Sequence, residues 1–231
     1  MVNTAYLVSL LATALAVIIG IVVHESAHAM VAYLLGDKTA RSRGRVSLNP
    51  LNHIDPFGTV ILPLLLIVAG GPVFAFAKPV PVYLGNLKHP KRDEVLVSLA
   101  GPASNILLAC LGALALRAIG GDGALLQTIY RIDPSSQILQ FLVTFMSVNL
   151  SLAFFNLIPL PPLDGSSILV LVLKGKALQT YYRIQAYAMP ILIVVLYLLP
   201  QLTGIDLINM YFQATMYPVF DGLLSFAVSG W

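Results

Sequence analysis

Five apolar runs, at about 5–35, 57–77, 95–118, 138–158 and 184–200, bound what this chain can become. Several approach the ~20 residues that a helix needs to cross a hydrocarbon core. Between them lies no polar stretch long enough for a separate soluble domain, and no internal repeat or low-complexity tract interrupts the pattern. Only 10% of the 231 residues are charged, and mean hydropathy is +0.87. Soluble domains carry roughly 25% charged residues. The expected fold is therefore an all-α polytopic membrane protein with about 4–6 transmembrane helices. A single integral-membrane domain over 1–231 is expected, with its core at 5–200 and an apolar or interfacial C-terminal segment at 201–231.

The first run lacks a basic leader and exceeds the length of a signal-peptide apolar region, so it is expected to stay in the mature protein. Cys110 lies alone inside an apolar run, which leaves neither an intramolecular disulfide nor a cysteine-based zinc site; a small buried hydrophobe is expected there. The net charge of +3 and pI near 9.0 do not point to nucleic acid, because the basic residues sit in short loops flanking apolar runs. That placement reads as membrane orientation.

Lys38, Arg41, Arg43 and Arg45 follow the first run, and Lys78, Lys88, Lys91 and Arg92 follow the second. A simple crossing at 57–77 would put one cluster outside, against the positive-inside tendency. A re-entrant segment turning at Gly70, Gly71 and Pro72 removes the conflict, since irregular backbone is tolerated at membrane depth where protein or a wet cavity satisfies it. A true crossing there stays open and would change the map. With re-entry, four spans follow, and most basic residues, Lys174, Lys176 and Arg183 among them, face the cytoplasm.

Within the first run stands His24-Glu25-Ser26-Ala27-His28. A helix turns ~100° and rises ~1.5 Å per residue, so His24 and His28 project from nearly one face, about 6 Å apart. Two imidazoles at that spacing can hold one Zn²⁺, and a glutamate beside the first is placed to act as general base on a metal-activated water. The plainer reading, satisfied core histidines with a structural glutamate, is weakened by depth: an ionised acid at the bilayer centre costs at least ~2.5 kcal/mol.

A catalytic zinc usually takes three protein ligands, so one is missing. Apart from Glu25, the acid deepest in apolar sequence is Asp164. His28 lies ten residues before Lys38 and Asp164 ten before Lys174. If both arms are helical, each group sits ~15 Å from its basic flank, and two such arms can meet at one metal. The alternative for Asp164 is an N-cap for a helix beginning at Gly165; spacing alone leaves both open. Pro159, Pro161 and Pro162 forbid helix over 157–163, and an extended segment is expected, with the Asn156 amide at its start offering donors and acceptors to the protein's own backbone or to a bound peptide. Residues 45–53, RVSLNPLNH, contain a short alternation suited to a strand or a small membrane-associated β-hairpin. It would serve either as an edge for an added substrate strand or as part of a small sheet over the cytoplasmic mouth.

The His-Glu-x-x-His motif, GPASN at 101–105 and NLIPLPPLDG at 156–165 together resemble the site-2 protease family of intramembrane zinc metalloproteases. NPLNHIDPFGT and AKPVPV resemble its compact bacterial branch. The resemblance implies that His24, His28 and Asp164 bind one Zn²⁺ per chain and that Glu25 is the catalytic base. It also implies that Asn156 positions substrate and that Asn105 belongs to the substrate-side or supporting machinery. Gly101 and Pro102 read more simply as small residues that allow close helix contact. His53 and Asp55 match a branch-specific motif and stand as secondary site candidates, but a turn closed by Asp55 before Pro56 is the favoured reading. His89 reads as a solvated surface histidine.

The implied activity is regulated intramembrane proteolysis: hydrolysis of a peptide bond in or near a transmembrane segment of a protein or peptide substrate, near the cytoplasmic face of a bacterial inner membrane. The implied partners are that substrate and the lipid bilayer, with no nucleic acid; a homo-oligomer or a regulatory membrane partner is left open. Family members often carry a PDZ domain or a CBS pair. Neither is expected in 231 residues, so gating would fall to the membrane segments, the 36–56 loop or another protein. The rival from another class is a non-proteolytic zinc-binding membrane protein engaged in metal transport or sensing, and the third is an inactive scaffold.

Overall fold

The computed structural model describes residues 4–55, 77–120, 134–185 and 187–229, with 58, 61 and 65 singly. The apolar run at 57–77, and with it the expected re-entry, falls almost wholly outside the described residues. The described residues form helices and turns without a strand.

Helix α1 spans Thr4–Leu34, and its end is written in the local sequence. Gly36 takes φ +113°, which glycine alone adopts without strain. The Gly36 N–H then reaches Tyr33 O at 3.1 Å, and the Asp37 N–H reaches Ala32 O at 2.9 Å. This pair of bonds is a Schellman closure of the last turn. The short α2, Thr39–Ser42, follows. Helix α3, Pro90–Gly120, opens with Pro90, whose missing N–H costs nothing in a first turn, while Asp93 accepts from the His89 N–H at 2.8 Å. Helix α4 is Pro134–Asn156. A 3₁₀ turn, Asp164–Ser167, leads into α5, Ile168–Val172, and then α6, Gly175–Gln185. Helix α7, Ala188–Ile193, runs through a π turn at Val194–Leu198 into α8, Leu199–Thr203. The chain ends with α9, Leu207–Ala214, and α10, Met216–Val228.

Among the described residues, three helical stretches are long and apolar enough to cross a membrane: Leu7–Leu34, Pro90–Ile119 and Gln137–Asn156. Leu11 is 69% exposed and Leu107 60%, an arrangement that water would penalise and lipid tails would not. Gly175–Gln185 and Ala188–Thr203 qualify only as a pair, and they meet at 75°.

Two compact units divide the chain. The first comprises Met1–Gly20, Ala103–Phe155 and Ile208–Trp231. Its core packs Ala113, Leu116, Leu139 and Met146 with Ala227 of α10, beside a second cluster of Ala109, Leu150 and Met216. Arg117 caps α10 by donating to Phe226 O and Ser229 O. Part of the C-terminal segment is thus core of this unit. Asn105, fully buried, donates its amide to Gly20 O at 3.0 Å and Asn149 Oδ1 at 2.9 Å, while Asn149 donates to Phe145 O at 2.8 Å.

The second unit comprises Ile21–Pro102 and Asn156–Leu207. Within it the expected strand over 45–53 is replaced by loop and a 3₁₀ turn, Pro50–Asn52. Asn49 caps that turn by accepting the Leu51 N–H, and Pro50 fixes its first φ. The loop is tied by side chains instead of a ladder: buried Arg45 donates to Asn52 O, to Lys78 O at 2.7 Å and to Pro79 O at 2.8 Å. The proline segment also differs from expectation. It is non-helical, but it is folded into tight turns, Leu160 N–H to Ile158 O at 2.8 Å and Leu163 N–H to Leu160 O at 2.9 Å. Prolines remove helix as an option, and Leu160 and Leu163, between and after them, satisfy their N–H groups locally.

Candidate metal centre

Helical spacing sets the first half of the site. His24 and His28 are buried, at 6% and 8% exposure, with ring centroids 4.6 Å apart and planes at 86°. His28 Nδ1 lies 2.7 Å from Val97 O on α3. A carbonyl can only accept, so Nδ1 carries the proton and Nε2 keeps its lone pair for a metal.

The second half comes from the turn after the prolines. Asp164 makes no capping bond to the helix it precedes; its Oδ2 lies 3.1 Å from His24 Nε2 and 3.4 Å from His28 Nε2. The carboxylate is thus turned towards the histidines and not towards a helix start. The three donor atoms lie within 4.8 Å of one another, and Asp164 Oδ2 is buried without an aligned hydrogen-bond donor. A tetrahedral zinc with bonds of about 2.0–2.1 Å holds its ligand atoms about 3.3 Å apart, so the donor set and the two carboxylate–histidine separations fit that ion. Among the described residues, His24, His28 and Asp164 are the group so arranged.

Gly101 completes the enclosure. A Cβ there would stand 2.5 Å from both histidine Nε2 atoms, so the space where the ligands converge is kept open by a missing side chain. Gly165 has a comparable role beside Asp164: a Cβ would overlap Leu157 O, and the turn closes only because none is present. The sequence marked Gly101 for close packing; its service to the metal space was hidden, because only the fold shows which face of α3 meets α1.

Glu25 is half-buried, beside the ligands on α1, with no hydrogen bond or ion pair to another described residue. Asn156 is half-buried at the end of α4, and Asn105 belongs to the first unit's amide network. His53 is 2% exposed, with Nε2 2.7 Å from Ser47 O and 3.3 Å from Ser26 Oγ, and Ser26 itself donates to Ser47 O at 2.5 Å. On a helix Ser26 lies roughly 180° from the midpoint of His24 and His28. His53 therefore packs on the face of α1 turned away from the ligands. Asp55 accepts the Gly58 N–H at 2.7 Å, the turn-closing role that its position before Pro56 allows.

Outside the spans, Asp37 is fully buried and gathers the region that follows α1. Burial alone would raise its carboxyl, but bonds from Asn86, from Thr39 and from the Tyr83 N–H outweigh burial and hold it below the ordinary aspartate value.

The sequence pattern of Peptidase family M50 matches residues 12–199. Among curated proteins, the chain is 43% identical over 152 residues to "Putative zinc metalloprotease YwhC" of Bacillus subtilis, covering 66% of this chain and 64% of that protein. It is 31% identical over 209 residues to "Putative zinc metalloprotease Rip2" of Mycolicibacterium smegmatis, covering 89% and 72%, and 29% identical over 205 residues to the Mycobacterium tuberculosis protein of that name, covering 88% and 71%. The chain thus spans a little under two thirds of the Bacillus protein's length. No solved structure matches it.

Proposed function

The chain belongs to Peptidase family M50, and from that premise we propose that its 231 residues form an integral-membrane zinc endopeptidase domain that hydrolyses a peptide bond in or near a transmembrane segment of a membrane-protein substrate. The observation that carries this reading is the convergence of His24 Nε2, His28 Nε2 and Asp164 Oδ2 beside Glu25 of the same helix.

His24, His28 and Asp164 would hold one Zn²⁺. When bound, the ion supplies Lewis acidity that activates water and polarises a carbonyl. Glu25 accepts the proton of the attacking water at a carboxylate oxygen and returns it to the leaving amine. His28, with its proton fixed on Val97 O, holds its Nε2 in register. Asn156 carries over from the family motif as a substrate-positioning group and Asn105 as support; His53 and Asp55 are assigned to holding the 45–58 loop.

We place the site towards the cytoplasmic side of a bacterial inner membrane, on the basic residues that follow α1 and precede α3. The bent pair 175–203 is read as a fourth span, and re-entry at 57–77 stays part of the proposal. Incubating purified wild type and Glu25→Gln with a panel of tagged transmembrane peptides tests the activity. Zinc-dependent cleavage by wild type alone supports it, and equal cleavage by both proteins would overturn the role of Glu25. Zinc flux into vesicles with no cleavage of any peptide would favour the transport reading.

A further inference from the structure

The Asp164 carboxylate has few rotatable bonds of its own, so where it points is set by the turn that carries it. That turn is held on two sides. On one, Gly165 lies against Leu157 O and Ile158 O, too close for a side chain. On the other, Ser166 is 2% exposed and donates twice to Leu163 O, from its N–H at 3.0 Å and its Oγ at 2.7 Å. Ser166 Oγ also lies 3.1 Å from the hydroxyl of Tyr181, a residue only 6% exposed on α6. Ser166 has one hydroxyl proton, and Leu163 O can only accept. The Ser166 proton therefore goes to Leu163, and Tyr181 donates to Ser166. The resulting chain, Tyr181 O–H to Ser166 Oγ–H to Leu163 O, ends at the peptide unit that precedes Asp164.

The neighbouring tyrosine is engaged elsewhere: Tyr182 donates to Glu94 Oε2 on α3 at 2.9 Å. Helix α6 thus fastens itself to α3 through one tyrosine and leaves the other for the ligand turn. We propose that Tyr181 is a positioning residue for the metal centre, holding Asp164 in its ligating orientation through Ser166. This rests on the zinc reading above. Groups that orient a ligand from outside the first coordination shell typically change metal affinity by 10–100-fold when removed. Tyr181 acts through one more bond, so the lower end is expected.

The experiment uses the full chain in detergent as wild type, Tyr181→Phe, Ser166→Ala, the double variant and Tyr182→Phe. Zinc retention is measured against graded chelator, with the visible absorption of the cobalt-substituted proteins as a second readout and thermal midpoints as the folding check. Phenylalanine keeps the ring in its socket and removes only the donor. The expected result is that Tyr181→Phe and Ser166→Ala each release zinc at roughly tenfold lower chelator and shift the cobalt bands, that the double variant goes no further, and that Tyr182→Phe behaves as wild type. Wild-type retention and spectrum in Tyr181→Phe would overturn the proposal while leaving the zinc site intact. Equal loosening by Tyr182→Phe would overturn it too, assigning the effect to the anchorage of α6. Wild type that binds neither zinc nor cobalt would remove the zinc reading and this proposal together.

Discussion

Both units bury polar side chains in apolar surroundings, and they handle them in opposite ways. In the first, Asn105, Asn149 and the Gly20 carbonyl are matched donor to acceptor, so the group is closed. In the second, His24 and His28 turn their Nε2 atoms towards a carboxylate oxygen that has no aligned donor, and Glu25 beside them has no hydrogen bond or ion pair among the described residues. Unsatisfied buried polar groups cost on the order of 1–3 kcal/mol each. A closed network explains itself as packing, whereas a convergent open one implies an occupant. The glycines differ in the same way: a Cβ at Gly20 would meet the mobile end of Leu152 at 2.7 Å, and one at Gly101 would meet two ring nitrogens at 2.5 Å.

The sharpest way to break this contrast is to add one methyl group to each unit. Gly101→Ala is expected to reduce bound zinc to background by filling the space between the histidines, while Gly20→Ala displaces the Leu152 side chain, presses on Asn149 Oδ1 at 3.1 Å and keeps the metal; elemental analysis of both purified proteins checks it. If Gly101→Ala retains zinc, the convergence point is not where the ion sits. Next, Glu25→Gln should lower the cleavage rate by at least about 100-fold with zinc content unchanged, since general-base catalysis typically contributes 10²–10⁴. A smaller effect belongs to the closed network. Asn105→Ala should cost about 1 kcal/mol of stability, in line with hydrogen bonds between membrane helices. A lowered thermal midpoint with full zinc content is the expected pattern.

The smallest effect concerns Asp37, a closed group within the open unit. Its carboxyl sits below the ordinary value because the folded state favours the charged form. Its contribution is therefore fully present above the unfolded value of about 4 and is lost as pH falls through the folded value. Thermal midpoints should decline below about pH 4 in wild type, and Asp37→Asn should flatten that decline. An identical pH profile in both proteins would assign the acid sensitivity to other carboxylates.

Much of the site was legible because its parts follow short-range rules. His24, Glu25 and His28 share a helix, so their relation is fixed by rise and turn, and Asp164 stood out as an acid deep in apolar sequence. The spans at α1, α3 and α4 were legible from length and hydropathy. The run at 184–200 was less so, because the prolines at 190 and 200 lie where the sequence reads simply as apolar, and the helices on either side of its first few residues meet at 75°. The strand expected over 45–53 failed for a physical reason: alternation predicts a strand only when a ladder partner exists, and here Arg45, Ser26 and His53 engage the backbone carbonyls with side chains. The approach of Gly101 to the two histidine nitrogens, the Val97 carbonyl behind His28 and the Tyr181 hydroxyl all depend on contacts between residues far apart in sequence, and no local pattern announces them.

Ser26 has a consequence for how the metal centre assembles. A helix surrounded by lipid gains little from burying one apolar face over another, so its rotation about its own axis needs something specific to set it. Opposite the histidines, the Ser26 hydroxyl is bound to Ser47 O, and a slip by one residue, ~100°, would break that bond as surely as it would misdirect the imidazoles. One of the two unspecified positions in His-Glu-x-x-His thus serves as an azimuthal stop. With that stop engaged, both imidazoles already point towards Asp164, so a metal bound as proposed would load without any turning of the helix that carries them.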